Sequence, residues 1–377
     1  MQIRGRQLAL TWIGCFLGAG FVSGQEIHQF FGHFGWWGIL GLILAVTGLA
    51  FLCGLIFQLA RSTGFDEVHR IAVPGHHPIL QTGAGIVAIS FMFGIYVVMC
   101  AGAGTLLEQI TGSRGLHLLG SAVFCLMVTL IAIRGVGGAV QVSRRIIPVL
   151  LVLSLIVMTA AIVTFGRHGI AIHPSNTANP LVNHWGLACV TFISYNFLCS
   201  MGTLSALGTM VRSRRDLWFG VALGGVLLLL ISMGVNLATL SLPDSLSAEL
   251  PMLYLAGALH PALEVIYAIV IFLGMFTASM AVFVPVPQYL LRLPRLQGHT
   301  VLVPVLLSTA AFSLSQLGFS NLIGTMFPVF GFVGFVFIGG MLIHCMQVWK
   351  AGRPSHSEGE KKTGGNHGKN QQFDPAP

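Results

Sequence analysis

Long apolar runs, separated by short polar or glycine-rich breaks, are the dominant pattern of this chain. A helix needs ~20 mostly apolar residues to cross the hydrocarbon core of a bilayer. Ten runs meet that measure: 8–31, 36–60, 83–110, 116–133, 146–165, 185–210, 217–242, 254–283, 300–317 and 322–348. The run 300–317 is short and contains Pro304. The pattern predicts an all-α integral membrane protein with ten transmembrane helices. Arg4 and Arg6 before the first run give it the outline of a signal peptide. That run is too long, lacks a convincing cleavage site and carries Gln25 and Glu26, so it reads as a retained first span.

Charge supports the count. Only 8% of the 377 residues are charged and 55% are hydrophobic, whereas a soluble domain carries about 25% charge. With a cytoplasmic N-terminus, 17 of the 19 Lys and Arg residues fall on the cytoplasmic side, and only Arg114 and Arg167 fall outside. A missed span would scramble this alternation. The expectation is therefore a multi-pass protein of the plasma (inner) membrane with both termini cytoplasmic. The formal net charge of +8 invites a nucleic-acid reading. Its confinement to short loops and the tail argues against one. Residues 1–349 are expected to form one transmembrane core. The polar stretch 350–377 cannot bury a core and reads as a disordered cytoplasmic tail.

Ten spans divide into 8–165 and 185–348, five in each. Five is odd, so two similar halves would sit in the membrane with opposite orientation. The first span of each half carries a mid-span interruption, Gly18-Ala19-Gly20 in one and Ser194-Tyr195-Asn196, with Gly202 nearby, in the other. Interrupted segments in matching positions are the sequence pointer to a transporter binding site, because a broken helix offers unpaired backbone groups to a buried cavity.

The first interruption carries a carboxylate six residues on, at Glu26. An ionisable group inside a span is costly, and it points to function. If the segment were helical, Glu26 would lie ~9 Å outward of Gly20. It could carry a proton, pair with a substrate amine, gate the outer side, or simply snorkel to the interface. The Gly18-Ala19-Gly20 amides could hold an anion at the positive end of the following half-helix. The alternative is close helix packing at small residues. Tyr96 sits at the midpoint of its span, where a phenol needs a partner. A substrate or the unwound backbone of span one could supply it. Ser194, Tyr195 and Asn196 fit the same cavity, or else bond between helices.

The string Gly18-Ala19-Gly20-Phe21-Val22-Ser23-Gly24-Gln25-Glu26-Ile27, followed by Phe30-Phe31, resembles the N-terminal signature of the YkvI-type membrane proteins. That uncharacterised family belongs to the amino acid–polyamine–organocation superfamily. Ser194-Tyr195-Asn196 resembles the same family. The likeness covers the ten-span core and omits the tail. It implies a LeuT-type fold of five-plus-five inverted repeats, with helices 1 and 6 broken around a central site. It also implies a substrate carboxylate on the amides of Gly18, Ala19 and Gly20. Thr277-Ala278-Ser279-Met280-Ala281 resembles the sodium-site string of span eight in coupled members. On that likeness, carbonyls of Gly14 and Leu17 and hydroxyls of Thr277 and Ser279 would hold sodium. Ala278 removes one oxygen from the pattern, and Phe21 stands where a second sodium site needs Asn, so a proton becomes a competing coupling ion.

Other groups carry less. His260 lies four residues before Glu264, on the same helix face, and the pair could form a proton relay, but a structural ion pair at the rim is the simpler reading. His69, His76 and His77 lie in a loop without further ligands nearby. The seven cysteines fall in apolar runs without metal-type spacing and read as small buried hydrophobes. No nucleotide-binding loop, nucleophile elbow or zinc signature is present, so no enzyme, no cofactor beyond a coupling ion and no ATP-driven pump is expected. The function expected is secondary active transport of a small solute, an amino acid or related amine, coupled to sodium or protons. The competing reading is a non-transporting membrane sensor that keeps the fold for ligand binding.

Overall fold

The structure, a computed structural model, describes residues 4–16, 19–64, 78–134, 139–170, 172, 179–291 and 293–351. Leu17, Gly18, the three loop histidines at 69, 76 and 77, and the expected tail beyond 351 lie outside the described residues. Among the described residues the protein is all-helical, with no strand.

The first span is broken into α1 (Gly5–Phe16), α2 (Ala19–Val22) and α3 (Gln25–Ile27), the last running into a π-helical turn at His28–Gly32. There follow α4 (Trp36–Thr63), α5 (Pro78–Thr111), α6 (Gly115–Arg134) and α7 (Ala139–Phe165). The second half comprises α8 (Trp185–Thr209), α9 (Arg214–Ser241), the hairpin α10 (Pro251–Leu259) and α11 (Pro261–Phe283), α12 (Pro285–Leu290), α13 (Leu302–Ser315) and α14 (Phe319–Ala351). Among the described residues six helices are long and apolar enough to cross a membrane, or seven when the bent pair within α8 is counted as one span. The element order is consistent with the ten expected runs.

The two interruptions differ in kind. In the first span the chain leaves helical geometry at Ser23-Gly24, where Gly24 adopts φ 83°. A left-handed residue costs an ordinary side chain about 1–2 kcal/mol, and glycine avoids that cost. In α8 the backbone bends by 62° between Met201 and Thr203, beside Gly202. Ser194-Tyr195-Asn196 therefore sit on the continuous helix before the bend, not in an unwound stretch. Nothing at those three positions, unlike glycine, relieves the helix of its hydrogen bonds.

Packing follows small residues. An added Cβ at Gly331 or Gly334 of α14 would meet the Thr191 or Ser194 carbonyl of α8, at 2.8 and 2.7 Å. The two helices therefore touch backbone to backbone, as small residues permit. On the opposite side, Trp12 of α1 lies fully buried against Gly224 of α9, its indole donating to the Gly220 carbonyl at 3.1 Å. Large apolar side chains instead face outward along the helices, among them Phe51, Leu126, Val152, Leu230, Ile269 and Val336. That surface suits a hydrocarbon solvent and would aggregate in water.

Candidate substrate site at the break of the first span

The turn at Ser23-Gly24 brings the chain back on itself. An ideal Cβ on Gly20 would stand 2.9 Å from Glu26 Oε2 and 3.5 Å from Ile323 of α14. The Glu26 carboxylate thus covers Gly20 instead of lying a helical ~9 Å beyond it. The helical rise fails as a guide because the left-handed Gly24 intervenes. Glu26 is 6% exposed, so it does not snorkel to an interface.

One residue of α8 bonds this carboxylate: the Tyr195 hydroxyl donates to Glu26 Oε1. The neighbouring Asn196 donates its Nδ2 to the Phe192 carbonyl at 3.1 Å. The Tyr195 ring stacks on Phe327 of α14 at 4.8 Å between centroids and lies 5.3 Å from Phe30 and 5.5 Å from Phe192. The carboxylate therefore sits behind an aromatic box built from the first span, α8 and α14.

The carbonyls freed by the break are taken up locally. Ser23 Oγ donates to the Gly20 carbonyl at 3.0 Å. The Met252 amide of α10 donates to the Ser23 carbonyl at 2.9 Å, and the Tyr267 hydroxyl of α11 to the Val22 carbonyl at 2.9 Å. Ser154 of α7 lies 3.2 Å from that same hydroxyl. Gln25 Nε2 reaches Ser320 Oγ at 2.6 Å, while Gln25 Oε1 and His28 Nδ1 are buried without a hydrogen-bond partner. Such orphaned polar atoms are costly unless something else supplies a hydrogen-bond partner.

Of the residues singled out by sequence, Gly20, Glu26, Tyr195 and Asn196 come together. Ala19 is helical in α2, and Gly18 and Leu17 lie outside the described residues. Ser194 points elsewhere, its buried hydroxyl beside Gly334 and without a partner. Tyr96 does not meet the break. It donates to, or accepts from, Ser308 of α13 at 2.5 Å and stacks on Phe283 at 4.1 Å. The role expected of it, bonding the backbone of span one, falls to Tyr267. Tyr267 also lies near the middle of its apolar run, so the same mid-span signal was present there and went unread. Of the box residues, Phe30 belongs to the string that carries the family resemblance, whereas Phe192 and Phe327 gave no sequence signal among 26 phenylalanines.

His260 and Glu264 do not form a shared helical face. His260 is extended, with φ −165°, and its Nδ1 accepts from the Ala262 amide at 3.1 Å as the N-cap of α11. Proline at 261 starts that helix and breaks the continuity the pairing assumed. Glu264 folds against Gly257 instead.

The expected sodium ligands are hard oxygens. Ser279 Oγ is buried without a partner, and Thr277 Oγ1 donates to the Gly274 carbonyl of its own helix at 3.0 Å, which leaves its lone pairs free. Gly14 lies in α1 and is half-buried. This donor chemistry fits an alkali cation.

A broken first span and a bent sixth are the marks of a LeuT-type membrane protein, and the solved structures agree. The chain matches MhsT in complex with L-phenylalanine with a TM-score of 0.61 at 15% identity, covering 91% of this chain and 97% of that one. It matches MHP1, a nucleobase-cation-symport-1 family transporter with bromovinylhydantoin bound, with a TM-score of 0.59 at 13% identity, covering 86% and 74%. In sequence it is similar to the uncharacterized membrane protein YkvI of Bacillus subtilis, 26% identical over 346 residues, 89% of this chain and 94% of that protein. It is also similar to the uncharacterized protein YyaD of the same organism, 24% identical over 350 residues, 92% and 98% of the two chains. No family model matches the chain. These likenesses bear out the YkvI-type resemblance and the LeuT-type fold.

Proposed function

We propose that this protein is a secondary active transporter of a small solute that carries an amine, an amino acid or a related compound. The observation that carries the reading is the Glu26 carboxylate, buried over Gly20 at the break and held by the Tyr195 hydroxyl. That partner is neutral, and an isolated charge in a low-dielectric interior is too costly to leave uncompensated. A proton, a sodium ion or a solute ammonium must balance it. The aromatic box around Tyr195 favours an ammonium, since ring faces attract cations. The fold supports transport: MhsT and MHP1 were solved with small organic solutes bound.

The coupling ion is sodium at Thr277 and Ser279 or a proton at Glu26. The setting is the plasma (inner) membrane, with both termini cytoplasmic. Counterflow in proteoliposomes, run on amino acids and amines, tests the reading. Exchange of a bound solute across the membrane supports it. A solute that stabilises the purified protein but shows no counterflow would overturn it in favour of a sensor.

A further inference from the structure

The α5–α6 pair holds two thiols in contact. The helices are antiparallel and approach closely, because an added Cβ on Gly120 would stand 2.9 Å from the Ala103 carbonyl and 3.1 Å from Gly104 Cα. Each turn then meets the next in register. Gly104 faces Ser121, and Cys100 Sγ lies 3.1 Å from Cys125 Sγ. One turn further, Tyr96 and Thr129 both bond Ser308 of α13, each at 2.5 Å. A separation of 25 positions between the cysteines conceals this pairing in the sequence.

The two sulfurs are not equivalent. Cys100 is wholly buried, whereas Cys125 helps to line a cavity of about 270 Å³ between α6 and α13, together with Thr129, Leu126, Ser308 and Phe312. The cavity opens beside Leu126, which is exposed on the apolar outer surface. A small apolar oxidant partitioned into lipid therefore reaches Cys125 first.

We propose that Cys100 and Cys125 form a dithiol/disulfide couple, with Cys125 the entry thiol and Cys100 the resolving one. The oxidant is a small organic disulfide. The Cys125 thiolate attacks one of its sulfurs, a Cys125 mixed disulfide forms, and one thiol leaves. Cys100 then gives up its proton and attacks the Cys125 sulfur, releasing the second thiol. Two protein S–H bonds are lost, one S–S bond forms within the protein, and one small disulfide is reduced to two thiols. The product ties α5 to α6 one turn from the Tyr96–Ser308–Thr129 network.

The experiment treats the purified full chain with 4,4′-dithiodipyridine, alkylates the remaining thiols with iodoacetamide, and maps both positions by mass spectrometry. The expected result is a peptide carrying Cys100 linked to one carrying Cys125, with loss of both alkylatable thiols and full recovery after dithiothreitol. Cys100→Ser should trap a pyridylthio group on Cys125. Cys125→Ser should leave Cys100 unmodified by the oxidant and open only to alkylation after denaturation. Recovery of the two positions unlinked, either both alkylated or each with its own pyridylthio group, would overturn the proposal. Modification of Cys100 in Cys125→Ser at the rate seen for the parent would overturn the order of attack. Circular dichroism on both serine variants confirms that they fold.

Discussion

Tyr195→Phe isolates the bond on which the candidate site turns. The substitution keeps the ring, and with it the stacking on Phe327 and the contacts with Phe30 and Phe192. It removes only the hydroxyl that donates to Glu26. A hydrogen bond to a charged group contributes about 1.5–3 kcal/mol, and a buried acceptor that loses its donor bears that penalty. At about 1.4 kcal/mol per tenfold, any state that needs the ionised carboxylate should weaken by roughly 10- to 100-fold. Solute affinity by thermal shift and counterflow rate in proteoliposomes should both fall within that range. A double-mutant cycle with Glu26→Gln, using the stability of four purified proteins, measures the coupling between the hydroxyl and the carboxylate. Residues in contact show coupling of about 0.5–3 kcal/mol, whereas independent sites add to within about 0.5. Additive losses would show that the Tyr195 hydroxyl does not bear on Glu26, and the site as described would fail.

Three further perturbations follow from the same geometry. Gly20→Val should abolish uptake while insertion survives, because its Cβ would stand 2.9 Å from Glu26 Oε2; normal uptake kinetics would refute the placement of Gly20 at the site. Gly24→Ala should lower stability by about 1–2 kcal/mol, since alanine at φ 83° is strained and its Cβ would crowd Met252 and Thr239 at 3.2 Å; an unchanged unfolding midpoint would contradict the turn. For coupling, Glu26→Gln should abolish uptake driven by a pH gradient and depress solute exchange as well, because the carboxylate that would carry the proton also faces the solute ammonium. Sodium-driven uptake that persists in Glu26→Gln and is lost in Thr277→Ala would assign coupling to sodium instead.

Several spans were legible because a bilayer imposes a length and an apolarity on every crossing, although the run 254–283 is divided at His260-Pro261 into α10 and α11. The run 36–60, for example, reappears inside α4, and 83–110 inside α5. The break of span one was legible too, in its glycines and in a carboxylate that no lipid-facing helix would keep. Direction was not. Nothing in the order Gly20 to Glu26 says that the second will fold over the first; that depends on the left-handed angle of Gly24 and on Met252 and Tyr267 receiving the carbonyls. The partner of Tyr96 was equally hidden, because Ser308 is 212 residues away and lies on a short run containing a proline. Contacts between spans depend on which face each helix presents, and a uniformly apolar run carries little record of that.

The two ends of the broken span are fastened to different neighbours. Its N-terminal end is bonded to α9, through the Trp12 indole on the Gly220 carbonyl and the Gly5 amide on Asp216 at 3.2 Å. Its C-terminal end is bonded to the α10–α11 hairpin, through Met252 and Tyr267. One segment thus ties α9 to the hairpin, and a displacement of either would fall on the chain between Trp12 and Val22, which contains Gly20. A ligand resting on Gly20 would stiffen that tie, and a substitution that loosens it would let α9 and the hairpin move independently.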